Sequence, residues 1–413
     1  MAKLFFSPML TKEELADADL SHDLLRDDGD FSLVLGGPLY NLYLRTRLST
    51  PPLGLVRRRV IIISLVCWLP LLLFSLMQGY ALRGLPVPFL LDVEVHIRFL
   101  AALPLLIAAE LIVHKRIVIV IRQFLERHLI APKDRIRFAE IISSTMRLRN
   151  SVLFEAVLLV LCFTLGQLVW KQQIALTIPT WYEMSSGGGS HLTAAGYWYE
   201  LLSLPIFRFI LFRWYFRLFL WYQLLWRVRG LPLQLNLYHP DRAGGLGFLS
   251  ASIFAFMPVL LAHTTFLAGF IGDRIWHAGA TLLTFRMEII GSLLFLLLLV
   301  LTPLSFFVVQ LEHAHRVASR EYGTLASNYV NDFRRKWVQH GSGEAESLLG
   351  TPDIQSLADL GNAFKSISDI RVLPFGKDAV LRLAAVLIVP LLPLALTIVP
   401  LKQIVDWLIK LAF

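Results

Sequence analysis

Charged residues are scarce in this chain, and that scarcity excludes an ordinary soluble globular protein. Only 17% of the 413 residues are charged, 56% are hydrophobic, and the mean hydropathy is +0.62. Average soluble domains carry about a quarter charged residues. Cysteine is also scarce: Cys67 and Cys162 both fall inside apolar stretches, where a free cysteine behaves as a small hydrophobe. The sequence therefore predicts neither a disulfide framework nor a thiolate metal site.

Sequence motifs for catalysis are missing as well. The chain has no His-Glu-x-x-His, Gly-x-Ser-x-Gly or Walker A pattern, and these patterns mark common metal, nucleophile and nucleotide sites. We therefore expect no metal, no cofactor and no catalytic residues, and an enzyme is the least favoured functional class. We find no internal repeat, direct or inverted, which weakens the case for a transporter built from repeats.

Seven apolar stretches dominate what is present. A helix needs about 20 apolar residues to cross the hydrocarbon core of a bilayer, and backbone polar groups in lipid must be satisfied within the segment. We therefore predict an all-α fold, a polytopic membrane bundle of six to seven transmembrane helices with a small cytoplasmic helical hairpin. The predicted spans are residues 60–82, 97–113, 152–170, 200–220, 247–271, 289–310 and 379–400.

Lysine and arginine switch on and off between these stretches, and this pattern predicts the orientation. Positive residues accumulate in cytoplasmic loops and attract anionic lipid there, so the formal charge of +9 does not require nucleic acid. We predict a cytoplasmic N-terminus and contact with anionic lipids at the cytoplasmic face, and the oligomeric state is left open. Segments 45–59, 114–151, 226–246 and 311–378 hold 25 lysines and arginines, whereas segments 83–97, 171–199, 272–288 and 401–413 hold six.

The same pattern divides the chain into four parts. Residues 1–59 form a cytoplasmic segment that is acidic and then basic, and residues 60–310 form a six-helix bundle with the basic loop 114–151. Residues 311–378 carry apolar side chains at helical spacing on two successive helices, so we predict a cytoplasmic hairpin that suits a protein partner. Residues 379–413 are predicted to form a last transmembrane or re-entrant helix followed by an amphipathic tail.

Five charged residues lie where lipid should exclude charge. Arg208, Arg213 and Arg217 fall in the fourth predicted span, and Glu110 and Glu155 in the second and third. Charges inside spans are costly, so they indicate function by default. Two interpretations are open: the arginines pair with these carboxylates or snorkel to the headgroups, or they line a pathway for an anionic solute or lipid. Pairing is the favoured interpretation, with the pathway kept as the functional one.

His263 adds a polar group near the middle of the fifth predicted span. A lone histidine in a membrane helix usually bonds across to another helix, and a proton relay is the alternative.

A polar, glycine-rich loop directly precedes the fifth span. Its backbone N–H groups at a helix N-terminus could hold a phosphate or carboxylate beside an arginine. The alternative, which we favour, is an aspartate-capped turn with glycines for tight packing. The residues concerned are His239, Asp241, Arg242, Gly244, Gly245 and Gly247.

Three segments of the C-terminal half carry a family resemblance: HPDRAGGLGFL at 239–249, EYGTLASNYVNDFRRKW at 321–337 and DIQSLADLGNAF at 353–364. Together they resemble a group of uncharacterised bacterial inner-membrane proteins. The resemblance implies the bacterial cytoplasmic (inner) membrane and carries no activity with it.

The function that these observations favour is transport or channel-like handling of an anionic solute or lipid. In that hypothesis the intramembrane arginines supply the field and loop 239–247 forms a cytoplasmic gate or anion contact. The alternative is a non-catalytic membrane scaffold or sensor that acts through the hairpin 311–378.

Overall fold

The computed structural model describes residues 31–164, 179–186, 189–339 and 351–397, and nearly all of this part of the chain is helical, which confirms the all-α class. Two short strands, β1 (Glu183–Ser186) and β2 (Gly189–Leu192), pair as an antiparallel hairpin. In chain order the helices are α1 (Pro38–Arg45), α2 (Val56–Met77), α3 (Val93–Glu126), α4 (Arg135–Arg149), α5 (Val152–Phe163), α6 (residues 194–228), α7 (Leu246–Ala278), α8 (Leu282–Gln339), α9 (Pro352–Ser368) and α10 (Lys377–Ala395).

Within the described ranges, five helices are long and apolar enough to cross a membrane: α2, α3, α7, α8 and α10. A span requires about 20 apolar residues, and α5 has only 12. Residues 165–170 of the predicted third span lie outside the described part of the chain. Helix α6 is long, but four arginines interrupt its apolar sequence. The structure is thus compatible with a membrane protein, whereas the predicted count of six to seven spans is not confirmed.

The loops that connect the long helices lie at two opposite ends of the bundle. At one end, the backbones of Ile130 and Leu233 form an antiparallel β-bridge between the loop after α3 and the loop after α6. The Gln310 side chain of α8 donates a hydrogen bond to the Arg229 carbonyl there, 2.6 Å away. We call the end that contains residues 127–134 and 229–245 the basic end. At the opposite end, His277 at the end of α7 contacts the Leu91 carbonyl before α3, at 3.0 Å.

Helices α3 and α7 form the centre of the bundle. Buried residues recur along α3 every three, four or seven positions, which is the spacing of one helical face. Helix α7 approaches α3 closely at Gly269, where an added Cβ would lie 3.0 Å from the Ile97 side chain. The buried face of α3 includes Leu103, Leu106, Val113, Ile117, Val120 and Phe124.

Many large apolar side chains lie on the outer surface of the bundle and not in its interior. Met77 is 82% exposed and Met287 is 70% exposed. Extended exposed apolar surfaces mark contact with a membrane or a partner, and their position on the candidate spans fits lipid contact. The others include Ile61, Leu65, Leu69 and Leu73 on α2, Ile290, Leu294 and Leu298 on α8, and Leu381, Ile388 and Leu392 on α10.

Helix α8 continues far past the bundle, and α9 packs beside its last turns. Asp353, in the first turn of α9, accepts hydrogen bonds from Lys336 and Trp337 on α8, each 3.0 Å long. Both bonds lower the pKa of the Asp353 carboxyl, and the bond from Lys336 has the larger effect. Helix α9 begins at Pro352, directly after Thr351, and ends at Ser368. The amphipathic tail predicted at the end of residues 379–413 lies outside the described residues.

Candidate functional site

Glu110 is the centre of a buried charge cluster inside the bundle. This carboxylate, on α3, accepts a 2.7 Å hydrogen bond from the Arg217 guanidinium on α6. Its other oxygen lies 3.2 Å from Arg59 Nη1 on α2. None of the three side chains is more than 7% exposed. The carboxylate therefore neutralises charge from two different helices at once.

A second buried pair lies beside the first. Arg213 Nη2 on α6 is 3.3 Å from Glu155 Oε1 on α5. The other oxygen of Glu155 accepts the backbone N–H of Leu39, 2.9 Å away, in the first turn of α1. Gly37, with φ +84°, allows this approach, since an added Cβ would lie 2.9 Å from Glu155 Oε1. We call Arg59, Glu110, Glu155, Arg213 and Arg217 the arginine cluster.

Aromatic rings cover the guanidinium groups of the arginine cluster. Arg59 lies over the Tyr43 ring at 5.3 Å from its centroid, and Arg217 lies over Trp214 at 4.6 Å. Trp214 is itself fixed by a 3.0 Å hydrogen bond to the Leu106 carbonyl. Such cation–π contacts become stronger away from water, so these rings partly offset the cost of burying positive charge.

Positive charge exceeds negative charge in the arginine cluster, with three arginines against two glutamates. Arg149, at the end of α4, adds to the excess: its guanidinium donates to the Ser32 carbonyl. Burial, together with the nearby charge of Arg217, lowers the pKa of Arg149 to about 10. The site is therefore electropositive as well as buried.

Arg59 is the least satisfied member of the arginine cluster. Its side chain is fully buried, and none of its guanidinium nitrogens has a hydrogen-bond partner among the residues that the structure describes. Arginine offers five N–H donors, and buried donors without acceptors cost free energy. A charge-bearing group with unused donors in a positive environment is suited to an anionic ligand.

The structure brings together four of the six predicted pathway residues: Arg213, Arg217, Glu110 and Glu155. Arg208 lies apart from them, five residues before Arg213, or about 7.5 Å along the helix axis. His263 is also separate. Its Nε2 lies 2.9 Å from the Tyr215 hydroxyl of α6, and its Nδ1 lies 2.7 Å from the Val259 carbonyl. A carbonyl oxygen accepts, so Nδ1 carries a proton, and in the neutral ring the Tyr215 hydroxyl donates to Nε2.

Arg98 is a further buried charged residue that the sequence did not single out. Helices α3 and α6 each contain a π turn, at Arg98–Ala102 and Tyr199–Ser203. The Arg98 guanidinium donates to the Tyr199 hydroxyl and to the Glu94 carboxylate. It also lies 5.0 Å from the Phe266 ring centroid. Turns of π type are rare and often lie at functional positions. The contact between Arg98 and Tyr199 joins two of them at the opposite end of the bundle from the basic end.

The polar loop at the basic end is organised around Asp241. Its carboxylate accepts the backbone N–H groups of Ala243, Gly245 and Gly247 at 2.9, 3.1 and 2.9 Å. Gly244 and Gly245 have positive φ values, which glycine adopts without strain. The geometry is that of an aspartate-capped turn, and an external anion at these N–H groups would have to displace Asp241.

Burial alone would raise the pKa of the Asp241 carboxyl. The three N–H groups, and then the nearby His239, stabilise the charged form more strongly, and the pKa lies below the usual aspartate range. Arg242 points to another element: its carbonyl accepts the Arg371 N–H at 2.7 Å, and its guanidinium lies 3.9 Å from Asp369. The loop therefore ties the end of α9 to the start of α7.

Comparison of the chain with models of protein families, with curated proteins and with solved structures gives no match. The resemblance of loop 239–249 to bacterial inner-membrane proteins therefore stays a prediction.

Among the described residues, Arg59 and Arg98 are buried arginines that sequence reasoning missed. Arg59 was counted among the basic residues before the first span, since Arg57 and Arg58 precede it. Arg98 lies at the edge of a predicted span, where snorkelling is a sufficient explanation. An available signal was the i, i+4 spacing of Glu94 and Arg98, which favours an ion pair on one helical face.

Proposed function

We propose that this protein is a multi-pass protein of the bacterial inner membrane, with a cytoplasmic N-terminus, that handles an anionic solute or lipid at the arginine cluster. The guanidinium nitrogens of the buried Arg59 form an ion pair with Glu110 but no hydrogen bond to the described residues, and this observation carries the proposal. Membrane location is supported by the five apolar helices, and the orientation by the excess of lysine and arginine at the basic end.

The ion pairs of the arginine cluster suggest how an anion would be accommodated. Glu110 is shared between Arg59 and Arg217, so an anion bound to Arg59 would leave Glu110 with Arg217 as its partner. Arg213 keeps its own partner, Glu155. Arg59 would exchange the Glu110 carboxylate for the incoming anion, so none of these buried charges would be left without a partner. An isolated buried charge would otherwise be the main barrier to passage of the anion.

Arg59→Gln is expected to abolish anion handling while the bundle still folds, because Glu110 retains Arg217. The measurement is native mass spectrometry of protein released from nanodiscs, followed by flux of inorganic phosphate in proteoliposomes. Arg57→Gln is the matched control, since Arg57 is exposed and lies two positions before Arg59 on α2. Arg213→Gln should also reduce binding, with added instability because Glu155 loses its arginine. Retained ligand and flux in both cluster variants would contradict the proposal.

A membrane scaffold or sensor is the second candidate. The observation that favours it is apolar surface on the α8–α9 hairpin, outside the bundle: Leu325 is 52% exposed and Val338 is 68% exposed. A hollow of about 520 Å³ lies between the two helices at Gly323, Val330 and Phe364. Exposed apolar patches of this kind indicate binding of a protein partner.

Leu325→Ser with Val338→Ser should then abolish recovery of a bound partner while the melting temperature of the bundle stays unchanged, because both side chains are exposed on the part of α8 that lies outside the bundle. The measurement is co-purification from native membranes next to differential scanning fluorimetry. A milder variant, Leu325→Ser alone, tests the same face with a single substitution. Unchanged co-purification in both variants would exclude the scaffold hypothesis for this surface.

A further inference from the structure

An apolar groove of about 290 Å³ opens on the outer surface of the bundle between α1, α2 and α6. Its floor and walls are hydrocarbon or aromatic, and part of it is open, since Val66 is 42% exposed. The size is near the lower limit of small-molecule pockets, so it fits a narrow apolar chain. The side chains that form it include Leu42, Tyr43, Ile62, Val66, Ile206 and Phe209.

Two of the helices that form the groove each carry an arginine one helical turn away from a groove residue. Arg58 precedes Ile62 by four residues on α2, and Arg45 follows Leu42 by three on α1. These spacings place each arginine on the same helical face as a groove residue. Both arginines are exposed, and neither forms an ion pair with any residue that the structure describes. The surface therefore combines an apolar channel with a cationic mouth.

We propose that this groove binds an anionic phospholipid, with one acyl chain along the groove and the phosphate at Arg45 and Arg58. The positive charge of Arg45 and Arg58 favours an anionic lipid over the other molecules that could fill the groove. A zwitterionic lipid brings its own ammonium group to two unpaired arginines, and an apolar protein segment would leave both arginines without an anion. The inference rests on the membrane insertion proposed above, but it does not depend on anion handling at Arg59.

The groove also touches the arginine cluster. Tyr43 forms part of the groove wall, and the same ring lies 5.3 Å from the Arg59 guanidinium. An acyl chain in the groove would press on the ring that covers Arg59. The bound lipid is therefore placed to influence the cluster through Tyr43, which identifies an anionic phospholipid as a structural ligand or regulator at this position.

The charge part of the proposal is tested in nanodiscs of phosphatidylcholine that contain a minor fraction of phosphatidylglycerol. Native mass spectrometry measures how much phosphatidylglycerol each variant retains. One arginine near a membrane surface contributes enough for about a fivefold change in affinity. Arg58→Gln is expected to weaken retention about fivefold, and Arg45→Gln with Arg58→Gln about 25-fold by the same reasoning. Arg57→Gln, on the neighbouring face of α2, is the matched control and should retain the lipid.

The apolar part is tested by filling the groove. Val66→Trp should expel the lipid, whereas Leu65→Trp should not, because Leu65 is 43% exposed but lies outside the groove. A photoreactive residue at position 62 should give an adduct with the mass of phosphatidylglycerol. A cross-link to this chain or to a second copy would overturn the proposal. So would equal retention of the two lipids, or equal retention by the two tryptophan variants.

The same experiment separates this site from the arginine cluster. Arg59→Gln should keep phosphatidylglycerol if the lipid binds through the groove mouth. If Arg59→Gln loses it and Arg58→Gln keeps it, the headgroup binds in the cluster, which supports the proposed function and overturns the groove. If the groove variants lose lipid while phosphate flux persists, the groove stands whether or not the cluster handles a solute.

Discussion

Glu110→Gln is expected to destabilise the protein by about 3–5 kcal/mol, the cost of breaking a buried ion pair by removing one partner. The substitution keeps the shape of the side chain but removes the charge that neutralises Arg59 and Arg217. Both guanidinium groups then stay buried without a carboxylate. The measurement is the free energy of unfolding in mixed detergent micelles, together with the yield of inserted protein.

Two further variants make the result specific to the arginine cluster. Glu140→Gln removes a carboxylate from an exposed position on α4 and should change stability by less than about 0.5 kcal/mol. Replacing the whole triad, as Arg59→Met with Glu110→Leu and Arg217→Met, should recover most of the lost stability, because apolar replacements of buried ion pairs are often neutral or stabilising. If Glu110→Gln unfolds like the wild type, water or an ion already compensates the two arginines.

The apolar helices were predictable because length and hydrophobicity are local properties of the sequence. The runs that become α2 and α7 exceed the length of about 20 residues that a bilayer requires, and α10, with 19, comes close to it. The described part of the chain holds five helices of this kind. The predicted third and fourth spans were the difficult ones, for opposite reasons. Residues 165–170 of the third lie outside the described part of the chain. The fourth is long but carries arginines that lower its hydrophobicity.

The members of the arginine cluster were predictable in part. Arg213, Arg217, Glu110 and Glu155 stand out because an apolar sequence should exclude charge, and a carboxylate is the partner that an intramembrane arginine requires. Arg59 did not stand out, because nothing in an Arg-Arg-Arg run indicates which of the three turns inward. Its burial depends on α1 folding back so that Tyr43 covers it, and that contact is not encoded within α2.

The polar loop was more accessible to sequence reasoning, because its geometry is local. An aspartate after proline, followed by glycines at the start of a helix, is the composition of a capped turn. The choice between a capped turn and an anion site depended only on whether Asp241 reaches the N–H groups itself. It reaches three of them within six residues.

Asp241→Asn is expected to destabilise the loop by about 2–3 kcal/mol at pH 7, since a partly buried hydrogen bond to a charged group is lost and a donor is left without its acceptor. The remaining amide oxygen can accept from Ala243 and Gly245, but the amide nitrogen then faces the Gly247 N–H. Hydrogen exchange of residues 243–247 is the direct measurement, and exchange should become faster in the variant. Asp369→Asn is the matched control, because its 3.9 Å contact with Arg242 is half-exposed and contributes little.

The difference between wild type and Asp241→Asn should depend on pH in one direction. The folded-state pKa of Asp241 is depressed, so the carboxylate contributes its full stability above the unfolded-state pKa of about 4. That contribution is lost as the pH falls through the lower folded-state pKa, where the wild type becomes protonated and the asparagine variant does not change. The two proteins should therefore converge in acid and separate toward neutral pH. A constant difference would mean that the loop is held by backbone packing at the glycines, and that the charge of Asp241 is not what positions the start of α7.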